Sequence, residues 1–324
     1  MQGKDMLDTK ADSAMYVGLD VCKAWIDVYV HPCGQSYRVA NSKPGLKRLR
    51  QKLKGLRVAL VVAEATGKFH QLAQRSLHAA GFAVAIVNPL RARLFAEAKG
   101  ELAKTDKIDA RMLAIMGECF KPAARPPAPE SVAELQELVR ARRTATTQKT
   151  AIENQFGATE GKVLAKHLAS LLRAIETHIE RLDAEIAARI AADPALQRRF
   201  DIVTSIPGIG QVTGMTLVAC LTELGALSAK AITMLVGLAP VASDSGATRG
   251  YREIRAGREH VRSPLYLAAL SAARYNPGMK TFYKRLTTEK GKCAKKALTA
   301  VARKLVVLAN TLVHENRLWT AEKP

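Results

Sequence analysis

Two apolar, β-branched runs, Met15 to Val21 and Trp25 to Val30, follow one another across a short polar turn, and they oblige the chain to begin as a hairpin of buried strands. Arg38 to Ala40 offers a third strand. Beyond it the texture alternates. Helical spacing runs from Pro44 to Leu53, a continuous apolar run from Val58 to Ala63, helical spacing again from Phe69 to Ala80, and a strand from Phe82 to Val87.

Strands first, then helix and strand in turn, is the order a ribonuclease-H-like (RuvC-like) α/β domain requires. The expected domain spans residues 15–120, after a loose lead-in over residues 1–14. Its acids fall in telling places. Asp20 ends the first run in Gly-Leu-Asp, and Glu64 follows the run Val58 to Ala63 in Glu-Ala-Thr-Gly. Asp106 and Asp109 lie three apart in Lys-Thr-Asp-Lys-Ile-Asp-Ala-Arg, so a helix capped by Thr105 puts both on one face of its first turn. Each acid alone has an ordinary explanation as a strand end, a solvated side chain or a helix cap. Together they read as an oxygen-only ligand set for Mg²⁺ or Mn²⁺, because clustered carboxylates resist ionisation unless a cation neutralises them. Paired hard cations at such a site serve phosphodiester displacement.

The rest of the chain supplies the opposite charge. Fifty Lys and Arg against 29 Asp and Glu give a formal net charge of +21, which favours a polyanionic partner, nucleic acid first. With 48% hydrophobic residues among 324, there is material for two or three cores. Five scattered cysteines without a Cys-x-x-Cys pair argue for reduced thiols rather than zinc or disulfides. The absence of a long apolar span or leader points to a cytoplasmic protein.

Pro122, Pro126, Pro127 and Pro129 mark a linker over residues 121–130. A helical arm is expected over 131–192, since Leu168, Leu171, Ile175, Ile179, Leu182, Ile186 and Ile190 recur in steps of three and four. That seam suits a dimerising coiled coil or a helix pair within one chain. Residues 193–324 are then a mostly helical domain. There Ser205-Ile-Pro-Gly-Ile-Gly210 has the form of a helix-hairpin-helix turn, whose Gly208 and Gly210 would let backbone N–H groups meet a phosphate, or simply a tight turn between packed helices.

Between Ser245 and Asn310 stand 15 Lys or Arg and three Glu. Arg249, Arg252, Arg255, Arg258 and Arg262 recur every three or four residues, with Lys295 and Lys296 further on; both sets are candidate nucleic-acid contacts. Arginines at this spacing are also what a solvated face looks like.

The acidic contexts, in this order, together with Ser-Ile-Pro-Gly-Ile-Gly, Gly237-Leu-Ala-Pro240 and Asp244-Ser-Gly-Ala-Thr-Arg-Gly250, resemble the DEDD transposases of bacterial insertion sequences, insertion-sequence family 110, described as bridge-RNA-guided serine recombinases. The resemblance spans nearly the whole chain. It implies a RuvC-like domain whose Asp20, Glu64, Asp106 and Asp109 are catalytic metal ligands. It also implies a C-terminal transposase domain whose Ser245, before Gly246, forms a transient phosphoserine link to DNA; Ser243 has the same chemistry nearby. Donor and target DNA, a structured noncoding guide (bridge) RNA and a homo-oligomer, dimer to tetramer, are the implied partners in a bacterial cytoplasm. The rival readings are a hydrolytic RuvC-type nuclease or resolvase, in which the acids activate water, and a non-catalytic nucleic-acid-binding protein.

Overall fold

A computed structural model describes residues 14–65, 67–101, 106–242, 250 and 252–321, with the side chains of residues 106 and 107 excepted. The chain divides after Ala128 into two compact units.

The first unit carries a five-stranded sheet. Strands β1 (Met15–Val21), β2 (Trp25–His31) and β3 (Gln35–Ala40) form an antiparallel meander. Helix α1 (Lys43–Lys54) leads to β4 (Val58–Glu64), parallel to β1, and α2 (His70–His78) to β5 (Val84–Val87), parallel to β4. The strand order is β3-β2-β1-β4-β5, the ribonuclease-H-like arrangement expected from the strand and helix order. Two helices complete the unit, α3 (Pro89–Ala98) and α4 (Asp106–Phe120).

Alternation along the strands divides the unit into layers. Val17, Leu19, Val21, Val61 and Ala63 pack with Leu46, Leu49 and Leu53 of α1 and Leu77 of α2. On the opposite face Leu60, Val62, Ala85 and Val87 pack with Phe95 of α3 and Leu113 and Met116 of α4. The sheet is therefore covered on both sides, which is why its central strands are largely apolar, Asp20 and Asp27 apart.

The second unit begins with an antiparallel helix pair, α5 (Glu130–Gly157) and α6 (Lys162–Ala191). Ion pairs tie them rung by rung: Arg189 to Glu134, Arg142 to Asp183, and Lys149 to Glu176 at 2.8 Å. The seam is a helix pair within one chain, and it is not uniformly filled. Ile186 and Ile190 at its root are buried, Ile175 and Ile179 are half-buried, and Leu171, Leu164 and Val163 are exposed towards the tip. The root shares one hydrophobic core with the helices that follow, so the expected arm and the expected C-terminal domain form a single compact unit.

Those helices are α7 (Pro194–Thr204), α8 (Gln211–Cys220) and α9 (Ala229–Val236), then a two-strand ladder of β6 (Pro240–Val241) with β7 (Glu253–Ile254), then α10 (Glu259–Tyr275), α11 (Pro277–Lys284) and α12 (Ala294–His314). A single π-turn, Arg285–Glu289, joins the last two with a short loop. Helix α12 is long and apolar enough by composition to cross a bilayer. Here its Val301, Ala302, Leu305, Val306 and Ala309 are completely or almost completely buried in the unit's core.

Candidate metal centre and nucleic-acid interface

The Gly of Gly-Leu-Asp is where the acidic site is built. A Cβ at Gly18 would stand 1.9 Å from the Ala110 carbonyl oxygen and 2.5 Å from the Ala114 nitrogen, so α4 lies directly on β1 and only glycine allows it. Farther along α4, a Cβ on Gly117 would meet Val62 at 2.9 Å and Tyr16 at 3.5 Å. The helix therefore runs opposite in direction to β1 and β4. Its N-terminal turn, carrying Asp106 and Asp109, reaches the C-terminal ends of those strands.

Asp20 and Glu64 occupy those ends. Tyr16, Gly18 and Asp20 share a face by strand alternation, as do Leu60, Val62 and Glu64, and both sets face α4. The parallel register pairs Leu19 with Ala63, so the next residues along, Asp20 and Glu64, are neighbours on adjacent strands. Glu64 and Asp109 line one cavity of about 370 Å³, floored by Leu90, Ala92, Leu113 and Met116.

Asp20, Glu64 and Asp109 are half-buried, and each is held by polar or ionic contacts. Among the described residues no three His, Cys, Asp or Glu side chains form a group able to hold a metal ion. The three acids thus share a face and an end of the sheet without closing on one point. The Asp106 side chain and Thr105, the expected cap, lie outside the described residues. The donor set nonetheless suits a hard divalent cation: oxygen only, on rigid elements.

The structure adds acids that the sequence reading passed over. Glu97 of α3 and Glu101, just past the end of that helix, line the same cavity. Asp27 lies directly across from Asp20 in the β1–β2 register and is buried, with both its oxygens taking hydrogen bonds from Arg38 at 2.9 and 2.7 Å. The Arg38 guanidinium also lies 4.7 Å over the Trp25 ring. A buried carboxylate beside the acidic face thus carries its own fixed countercharge. Its signal in the sequence was a lone Asp inside an apolar strand run.

In the second unit the candidate contacts separate into two groups. Arg258 gives its guanidinium to both Glu223 oxygens at 2.7 and 2.8 Å and to the Cys220 carbonyl at 3.0 Å. Arg262 donates to the carbonyls of Ala256 at 2.6 Å and Gly237 at 3.4 Å. Both fasten the loop that carries β7 to the helical core, rather than forming a solvated ladder. Gly208, at φ +108°, packs against α10, where a Cβ would come within 2.7 Å of the Ala272 backbone. Helix packing and the positive φ both require glycine there. Gly210, before α8, meets nothing within 4 Å. Arg252 and Arg255 are exposed, Arg255 facing Glu253 at 3.7 Å, and Lys295 and Lys296 are exposed on α12. Ser243, Ser245 and Arg249 lie outside the described residues.

Burial and neighbouring cations leave one further mark. His260 is held below the usual imidazole range by burial first, then by Arg258, Arg143 and Arg140. Beside it the Glu259 carboxyl is lowered by hydrogen bonds from Arg143 and Ser263.

Comparison with known proteins matches the chain in two stretches, the first of which runs past Ala128 to take in α5. A DEDD family model described as a transposase matches residues 17–159, and one described as the transposase IS116/IS110/IS902 family matches residues 200–284. The pilin gene-inverting protein of Moraxella bovis is 28% identical, with 94% of this chain and 97% of that one aligned. An insertion element IS900 protein of Mycobacterium paratuberculosis is 31% identical over 66% of this chain and 55% of its own length. Among solved structures, T. thermophilus RuvC in complex with a Holliday junction substrate covers 35% of this chain at 12% identity and a TM-score of 0.28, a likeness too slight to add to the strand order.

Proposed function

Because the chain belongs to the IS116/IS110/IS902 transposase family, a family of DNA-cutting and DNA-joining enzymes, we propose that it exchanges DNA strands of an insertion element through a serine-linked intermediate, with the acids of the first unit as its divalent-metal site. One observation carries the metal half of this reading. The close approach of α4 to Gly18 sets Asp20, Glu64 and the helix start bearing Asp106 and Asp109 at the same end of one sheet face.

Mg²⁺ or Mn²⁺, held by Asp20, Glu64, Asp106 and Asp109, supplies countercharge for the phosphoryl oxygens when bound. The Ser245 hydroxyl is the nucleophile of the second unit. Its oxygen forms a bond to phosphorus as one strand's sugar oxygen leaves. The hydroxyl proton is lost to a base, and the departing oxygen takes up a proton. Attack by a second strand's hydroxyl reverses the exchange and frees the serine. The number of phosphate ester bonds is unchanged, so joining needs no ATP.

The remaining parts follow from the same reading. Structured guide RNA pairs with donor and target DNA and reads sequence, while the protein holds backbone and shape. Leu164 and Leu171, left exposed on α6, support assembly with further copies of the chain as a dimer or tetramer. The Moraxella relative is named for inverting a pilin gene, and inverting a DNA segment calls for the cutting and rejoining proposed for this chain.

The test is a covalent trap. End-labelled DNA bearing the element's ends is incubated with protein, guide RNA and Mg²⁺, then denatured. Labelled protein that disappears in Ser245→Ala supports the serine-linked intermediate. Cleavage at the wild-type rate by Ser245→Ala transfers the reaction to water and the acidic site alone.

A further inference from the structure

From Lys280 to Lys304 the chain has nine Lys and Arg against one Glu, and most of this stretch lies beyond residue 284, where the second family match ends. All nine cations are exposed. None pairs with a carboxylate among the described residues, whereas the arginines at 258 and 262 and those of the α5–α6 pair are engaged internally. The surface is continuous, because α11 packs on α12, the π-turn packs on both, and the loop folds back through Lys290 N–H to the Arg285 carbonyl and Lys292 N–H to the Leu286 carbonyl.

Two arrangements on this ridge are unfavourable until an anion arrives. Arg285 and Lys304, from different elements, lie 5.4 and 4.6 Å from the centre of the same Phe282 ring, so one aromatic side chain gathers two like charges with no carboxylate between them among the described residues. Lys295 and Lys296 stand in the first turn of α12, at the positive end of its dipole, with no acidic residue in that turn and no side-chain cap. A row of phosphates relieves both.

The kind of anion can be narrowed. Phe282 and Tyr283 are half-buried against the core, and no large hydrophobic side chain described between Pro277 and Lys304 is exposed. A single-strand binder needs open aromatic faces for bases to stack on, and a membrane-bound surface needs apolar anchors. The ridge offers neither. We infer that the α11, π-turn and α12 ridge of the second unit is a docking surface for the sugar-phosphate backbone of a nucleic-acid duplex, indifferent to sequence. The inference rests on the transposase reading only for the presence of such a partner.

The experiment measures equilibrium binding by fluorescence anisotropy, with the full-length chain in chelator so that no strand is cut. The probes are a DNA duplex and an RNA duplex of arbitrary sequence and a single strand of equal length, each titrated at several salt concentrations. Lys292→Gln, Lys295→Gln and Lys296→Gln combined should weaken duplex binding about tenfold or more and flatten the log–log salt slope by about 2 to 3. A control triple on exposed α1 positions, Lys47→Gln, Arg48→Gln and Lys54→Gln, should change the slope by less than half as much. Preference for the DNA or the RNA duplex identifies which one the ridge holds, and either supports the inference. Equal loss in the two triples, or tighter binding of the single strand than of both duplexes, overturns it. Cleavage is not read in this assay, so its outcome is independent of the serine test.

Discussion

The two units place their charge by opposite means. In the first, carboxylates are carried to one end of a sheet by strand register and by a helix pressed onto a glycine, so their positions are properties of the backbone. In the second, cations are dealt out by side-chain partners: Arg258 and Arg262 are committed to the fold, while the lysines from 280 to 304 are left outside. A site fixed by backbone geometry can be read from spacing. A surface sorted by pairing cannot, because identical spacing serves a buried clamp and an open ridge.

The sharpest way to break this contrast is in the metal centre. Asp20→Asn and Asp109→Asn should each lower strand cleavage by on the order of 10³-fold, since several kcal/mol of charge stabilisation is removed, with DNA affinity in chelator unchanged. Gel assays of cleavage alongside anisotropy separate the two. Next comes the backbone itself. Gly18→Ala forces α4 off β1 and should destabilise the first unit by about 2–3 kcal/mol in denaturant melts, losing cleavage although no acid is altered. Full activity in that variant would mean that α4 does not need its close seat.

The second unit gives the smaller effects. Arg258→Ala takes the two-point guanidinium contact from Glu223, which is only slightly exposed, and should cost about 2 kcal/mol by urea unfolding while leaving the salt slope of duplex binding unmoved. That is the reverse of the ridge variants. The least effect belongs to His260. Its folded value lies below the ordinary 6.5, so the unfolded chain takes up the proton first, and stability falls as pH drops below about 6.5 towards the folded value. His260→Gln should flatten that part of the pH-stability profile, followed by thermal melts from pH 7.5 to 5.

How far the sequence could be read follows the same line. The run Met15 to Val21 became β1 with the same ends, and the order of strands and helices foretold the sheet, because β-branched runs and turn residues speak locally. Helix α3 went unread: its Leu90 and Leu94 are exposed and only Ala92 and Phe95 are buried, so no apolar stripe announces it. The α6 seam is regular from Leu168 to Ile190, yet between the buried Leu168 and the buried root Leu171 is exposed and Ile175 and Ile179 are half-buried, since period alone does not say what covers a face. Gly208 could be read as a phosphate contact or as part of a tight turn between packed helices, and the close seat against Ala272 that makes glycine necessary there is invisible in the spacing. Asp27 was missed because its partner, Arg38, lies eleven residues away on the neighbouring strand.

Calorimetric titration of Mn²⁺ into the full-length chain, against Asp20→Asn, Glu64→Gln, Asp106→Asn and Asp109→Asn in turn, bears most directly on the acidic site. The account predicts saturable binding that weakens about tenfold or more in each of the four variants, each having lost a carboxylate ligand. Binding of unchanged strength in all four, or none in the unaltered chain, would contradict it.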